Sequence, residues 1–252
     1  MILLDGKKLA QKILDEVRQE ISAITAKPRL AVVVIGKDPV VEKFIQQKKK
    51  TAESVGVDMR VYPFEKAVTT NELRKRLAEI VHEERNTGVI VQLPLPAHIN
   101  SQYILNSVMP EKDVDVLSAR SIGNFAVGKS PIMPPVAGAV KVLFEEYKID
   151  YRDKYIVILG AGNLVGKPVA LWLLNEKAMF GVLRSSAENP KEFLQNADIV
   201  ISGIGKPKFI TGDMIKEDVV VIDAGTSESE GKIVGDVDFS SVASKCSYIT
   251  SV

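Results

Sequence analysis

The sequence predicts an α/β protein of two lobes. These are an N-terminal α/β domain, residues 1–132, and a Rossmann-type parallel-sheet distal domain, residues 133–252, with a cleft between. Three observations carry this expectation. Short, nearly uninterrupted apolar runs alternate with stretches whose apolar residues recur at helical spacing, the pattern of parallel strands covered by helices. Residues Asp113 to Gly138 are irregular and rich in proline and glycine, the natural place for a junction between domains. Beyond the junction, an apolar run is followed by three close glycines and then a helical pattern.

In the first lobe, Gly6 to Ile24 predicts a helix, with Leu9, Ile13, Val17 and Ile21 at four-residue spacing. Leu30–Gly36 predicts a buried strand. Pro39–Val55 predicts a helix, with Pro39 in its first turn and Asp38 as N-cap. Met59–Phe64 predicts a strand. Thr70–Glu84 predicts a helix opened at Thr70, with Leu73, Leu77 and Ile80 facing inward. Gly88–Leu93 predicts a strand stopped by Pro94 and Pro96. In the second lobe a helix over Val136–Tyr147 leads to strands at Tyr155–Leu159, Phe180–Leu183, Asp198–Ser202 and Val219–Asp223.

Composition narrows the function. Lys and Arg number 33 against 32 Asp and Glu, a net charge of +1, which points to neither a nucleic-acid nor a membrane partner. The lone Cys246 excludes an intrachain disulfide framework and suits a reducing, cytoplasmic compartment; it reads as a bystander thiol. Two histidines, His82 and His98, and no Cys/His cluster argue against a zinc site, so no metal is expected. The opening MILLDGKKLAQ meets a charge after four residues and does not read as a signal peptide.

The segment Tyr155–Leu174 holds the strongest local signal. Gly160 permits a sharp turn after the strand, and Gly162 allows backbone to approach a ligand. Asn163, Leu164, Val165 and Gly166 then open a helix whose N–H groups and dipole face an anion. This is the arrangement that binds a dinucleotide pyrophosphate. The spacing is GxGxxxG rather than the commoner GxGxxG, and a glycine-rich turn with no ligand is the plain alternative. The next strand ends Leu183-Arg184-Ser185-Ser186, where an NAD site usually carries Asp or Glu. A cation beside hydroxyls suits a 2′-phosphate, so NADP is expected over NAD, although a solvated arginine at a strand end is the simpler reading.

Several blocks together resemble the methylenetetrahydrofolate dehydrogenase/cyclohydrolase family. They are LDGK (residues 4–7), IGKDPVVEKFIQQKKKTAESVGV (35–57), GVIVQLPLPAHI (88–99), PEKDVD (110–115), GAGNLVGKP (160–168), GKPKFITGDMIK (205–216), VVVIDAG (219–225) and GKIVGDVDF (231–239). The resemblance implies a folate site in the first lobe and the cofactor on the second. It implies oxidation of 5,10-methylenetetrahydrofolate by NADP, or in some members NAD, commonly followed by hydrolysis of the methenyl product to 10-formyltetrahydrofolate, a step of one-carbon metabolism that serves purine biosynthesis. By position it assigns the catalytic lysine to Lys48, its tuning glutamine to Gln92, and the pterin-binding aspartate to Asp115, with Phe44 against the substrate. It adds Gly205, Asp223 and Gly225 to the cofactor site, and implies a homodimer through the distal lobe.

Those residue types fit the chemistry. Hydride transfer depends on positioning. Hydrolysis needs one group that takes a proton from water and returns it to a ring nitrogen, which a lysine titrating near neutrality can do. The departures are as specific. Phe44 stands where the family has tyrosine, Val41 where it has serine, and Val116 where it has glycine. Residues 133–138 read MPPVAG in place of PCTPxG, and Ala161 and Gly162 replace the arginine and serine of the glycine loop, leaving Arg184 to hold a 2′-phosphate alone. The chain stops at Val252, before the family's closing loop and last helix, and an open, weaker folate site is the expectation. A non-catalytic relative that keeps the fold is the rival reading.

Overall fold

The computed structural model describes residues 1–229 and 232–251, so Gly231 of the last block and the terminal Val252 lie outside the described residues. The chain forms two compact units. One gathers Ala10–Phe125 with Ser130–Ile132; the other gathers Met1–Leu9, Ala126–Lys129 and Met133–Val252. The elements up to residue 126 are β1 (Ile2–Leu4), α1 (Gly6–Ala23), β2 (Arg29–Ile35), α2 (Pro39–Val55), β3 (Asp58–Phe64), α3 (Thr70–His82), β4 (Gly88–Val91), α4 (Ser101–Leu105) and α5 (Ala119–Ala126).

Within the first of these units β2 is central in a parallel sheet of order β3-β2-β4. Ala31 to Val33 and Val89 to Val91 are buried on both faces, as continuous apolar strands require. On one face they meet Leu73, Leu77, Ile80 and Val81 of α3; on the other, Ala52 of α2 with Met59. Helix α2 begins as the sequence predicts: Asp38 accepts from the N–H groups of Val40 (2.8 Å) and Val41 (3.1 Å). It ends at Gly56, whose φ of +88° is the left-handed stop that glycine tolerates.

Helix α3 begins at Thr70 as expected but ends two residues early. Its cap is Thr69, paired with Glu72 in a reciprocal capping box. It stops at His82 because Glu83 turns away, accepting from Arg29 (3.2 Å) and Tyr62 (3.0 Å).

The remaining elements are α6 (Pro135–Glu146), β5 (Tyr155–Leu159), α7 (Gly166–Asn175), β6 (Met179–Leu183), α8 (Pro190–Leu194), β7 (Ile199–Ser202), β8 (Val219–Asp223), β9 (Ser227–Ser229), β10 (Lys232–Val234), α9 (Phe239–Val242) and β11 (Cys246–Thr250). The main sheet runs β1-β11-β8-β7-β5-β6, all parallel; β9 and β10 form a separate antiparallel pair. Strand β1 is the surprise: Ile2–Leu4 pairs with Tyr248–Thr250, so the first residues complete the sheet of the second unit. Periodicity misses both partners, since three residues are too few to show a period and β11 carries mixed polar side chains. Cys246 is buried in this core and its thiol is pushed up to about 12 by that burial, which makes it inert at neutral pH.

Candidate active site and cofactor site

Lys48 lies in the third turn of α2, and its ammonium donates to Gln92 Oε1 at 2.8 Å. Gln92 is fixed at both ends. Its backbone N–H continues the sheet by donating to Val33 O (2.9 Å), and its side-chain amide donates to Leu93 O (2.9 Å). That second bond sets the amide so that its oxygen, not its nitrogen, meets the lysine. Phe44 lies one turn before Lys48, on the same side of α2, with 40% of its surface exposed.

The loop that carries Asp115 is held by its neighbours in the same block. Lys112 donates to Val81 O (2.7 Å) and Glu83 O (3.0 Å), a cation on the exposed carbonyls at the end of α3. Asp113 is buried and accepts from the N–H groups of Leu117 (3.2 Å) and Ser118 (2.8 Å). Lys112 O takes the Val89 N–H (2.7 Å), docking the loop beside β4. Asp115 is left within electrostatic reach of Lys48. Burial raises its pKa above the usual carboxylate range; the Lys48 charge pulls it back and Asp113 pushes it further up. Val116, next in line, has φ of +55°, a left-handed conformation that is costly for a β-branched residue, and is 2% exposed.

In the other unit the order β7-β5-β6 puts the switch in strand order at the C-terminal end of β5, where open α/β sheets bind ligands. Gly160 turns there with φ of +111°; a Cβ on it would lie 2.7 Å from Gly203 O. A Cβ on Gly166 would overlap the Gly160 carbonyl, so Gly166 lets α7 pack against the turn. A Cβ on Gly162 would meet nothing within 4 Å. Helix α7 begins at Val165 with no side-chain cap, and Asn163 is held by Lys167 Nζ (2.7 Å) beside the exposed Leu164. Open backbone above Gly162 and an uncapped helix end are what an anionic pyrophosphate needs.

Other expected cofactor residues have internal duties. Asp223 accepts from the N–H groups of Gly225 (2.9 Å), Asp236 (3.1 Å) and Val237 (3.0 Å). Burial raises its pKa; those bonds oppose the rise. A Cβ on Gly225 would strike the Asp236 carboxylate. Asp236, which the sequence did not single out, is fully buried and takes the Ser202 hydroxyl (2.7 Å) and the N–H groups of Ile204 and Lys206 (2.8 Å each). It shapes the loop containing Gly205, whose φ is +68°. Arg184 and Ser185 are exposed beyond β6, and Lys206 Nζ donates to Ser185 O at 2.8 Å.

Residues 4–115 match the catalytic domain of tetrahydrofolate dehydrogenase/cyclohydrolase, and residues 134–252 match the NAD(P)-binding domain of the same enzymes. The chain belongs to the tetrahydrofolate dehydrogenase/cyclohydrolase family. It is 40% identical over 258 residues to the bifunctional protein FolD of Sulfurihydrogenibium sp., spanning all of this chain and 90% of that one. The crystal structure of the bifunctional FolD of Campylobacter jejuni superposes with a TM-score of 0.96 at 37% identity, covering all of this chain and 91% of that one. The Trypanosoma brucei enzyme, solved with NADP cofactor and an inhibitor, gives 0.95 at 30% identity over all of this chain and 90% of that one.

Within this family frame, the fold brings Lys48, Gln92 and Asp115 together in one unit, and Gly160 to Gly166, Arg184, Ser185 and Gly205 to one end of one sheet in the other. Among the described residues no group of three or more His, Cys, Asp or Glu could hold a metal, and no helix is long and apolar enough to cross a membrane.

Proposed function

We propose that this chain oxidises 5,10-methylenetetrahydrofolate to the methenyl form with NADP and hydrolyses that product to 10-formyltetrahydrofolate. The observation that carries the reading is the Lys48–Gln92 bond with Asp115 within electrostatic reach of the lysine. NADP supplies the hydride acceptor. The glycine loop and the bare end of α7 hold its pyrophosphate. Asp115, ionised, accepts hydrogen bonds from the pterin amino and ring N–H groups, and Phe44 stacks on the aminobenzoyl ring.

In the oxidation, a substrate nitrogen lone pair forms the C=N⁺ bond as hydride leaves, so no protein base is required and positioning dominates. In the hydrolysis, Lys48 is the group that takes a proton from the water that adds to the methenyl carbon. It returns that proton to the ring nitrogen as the C–N bond breaks, while the hydroxyl proton of the water adduct passes to solvent as the formyl C=O forms. Gln92 Oε1 orients the amine through the bond already present in the structure.

The first test is absorbance of methenyltetrahydrofolate formed from the methylene substrate with NADP and, separately, NAD. Methenyl formation with NADP and its later decay are expected; no formation with either cofactor overturns the assignment. The reading extends to a cytoplasmic homodimer joined through the second unit. The edge strand β6, with Met179 and Val182 exposed, supports that contact. Sedimentation of a single monomeric species would reject the dimer.

A further inference from the structure

The turn beyond β6 has a second cation near it, supplied by a different strand. The C-terminal ends of β7, β5 and β6 stand side by side. Lys206 lies four residues beyond β7, yet its ammonium reaches Ser185 O, two residues beyond β6. Its side chain therefore spans the end of β5, where Gly160 turns against Gly203 and Ile204. The residue is anchored at its backbone. The backbone N–H is held by the buried Asp236 carboxylate, and the ammonium lies 5.3 Å from the Phe209 ring centroid.

A single ammonium–carbonyl bond on an exposed loop holds little, because water competes for both partners. An ammonium bonded to Ser185 O, one residue after Arg184 at the end of the strand that follows the glycine loop, is instead placed where the ribose of a dinucleotide comes. Ser185 and Ser186 follow Arg184 in the chain; the sole carboxylate among residues 183–188 is Glu188.

We propose that Lys206 and Arg184 together form a two-cation seat for the ribose 2′-phosphate, making Lys206 a determinant of NADP over NAD. Arg184 then does not hold the phosphate alone, as the sequence led us to expect. The proposal rests on the NADP reading above and names a residue for it.

The test is calorimetric titration of wild type, Lys206→Ala, Lys206→Gln and Arg184→Ala with NADP, NAD, 2′,5′-ADP and AMP, with melting curves for each. Lys206→Gln retains a donor for Ser185 O but not the charge. Loss of one charge-assisted contact corresponds to about ten- to a hundredfold in affinity. Both Lys206 variants are expected to lose that much for NADP and 2′,5′-ADP, and to stay within about twofold for NAD and AMP. Equal losses for NADP and NAD would show that Lys206 only braces the loop and would overturn the proposal. So would full retention of NADP preference in Lys206→Gln. A wild-type chain that binds NADP no better than NAD would reject the NADP reading itself, a result distinct from either.

Discussion

The two sites are made of opposite materials. In the unit carrying Lys48, the site is a set of side chains, with Lys48 bonded to Gln92 and Gln92 bonded in turn to the end of its strand. In the unit carrying Gly160, the site is bare backbone, and its essential feature is that side chains are missing. The first is damaged by removing atoms and the second by adding them. The two also treat left-handed backbone differently: Gly160 and Gly205 supply it freely, whereas Val116 adopts it against its preference.

Removal should be most severe at Lys48. General acid–base catalysis typically contributes about 10²–10⁴ in rate, so Lys48→Ala is expected to lose methenyl hydrolysis by that factor. Stopped-flow decay of methenyltetrahydrofolate measures it, and an unchanged rate removes Lys48 from the mechanism. Because the oxidation step asks no proton of Lys48, a variant that oxidised slowly but hydrolysed normally would invert the assignment.

Asp115 comes next. Its carboxylate must be ionised to accept two pterin N–H groups, and burial raises its pKa above the usual range. Folate affinity is therefore full above that raised value and falls as pH drops through it, at higher pH than the ~3.9 of a free aspartate. Asp115→Asn is expected to weaken folate by about tenfold or more and to abolish that acid limb. An acid limb that persists in the variant would belong to another group.

The contrast in materials explains what the sequence disclosed. The strands were legible because parallel, doubly covered strands are continuous apolar runs, and the helices because their inner faces repeat at 3.6 residues. The glycine loop was legible as a spacing. Lys48 was not: on its own it is one of 33 cations, and only its resemblance to a family pattern separated it from a solvated helix face. Lys112 and Asp113 sit in the same block as Asp115, yet they cap α3 and pin the loop, a difference of duty that appears only once the chain is folded. Asp236 and Lys206 were illegible for the same reason. Their partners are 34 and 21 residues away, and nothing local in the chain marks a buried carboxylate that collects backbone N–H groups.

Addition should separate the glycines from one another. Gly162→Val places its Cβ where it meets nothing within 4 Å, so the melting temperature should hold while NADP and NAD both weaken by about tenfold or more, ~1.4 kcal/mol. Gly166→Ala instead drives a Cβ into the Gly160 carbonyl and should cost stability, about 1–3 kcal/mol for overpacking, whether or not cofactor is present. Urea unfolding with and without NADP distinguishes the two. If Gly162→Val unfolds early and still binds normally, the open space above the loop has no ligand.

The smallest effect tests the left-handed valine. Val116 is buried, so truncating it removes apolar contact whichever residue replaces it. Alanine keeps a Cβ and with it the strain of a φ of +55°; glycine loses both. In ordinary structure glycine is less stable than alanine by roughly 0.5–1 kcal/mol because its unfolded chain is freer. Here relief of left-handed strain, about 1 kcal/mol or more, opposes and exceeds that entropy. Val116→Gly is therefore expected to unfold at higher urea than Val116→Ala, reversing the usual order by about half to one kcal/mol. The Asp113 bonds to Leu117 and Ser118 hold the turn in either variant, so the comparison isolates residue 116. If alanine proves the more stable, the turn relaxes without strain, and the valine is at this position at no cost to the loop that presents Asp115.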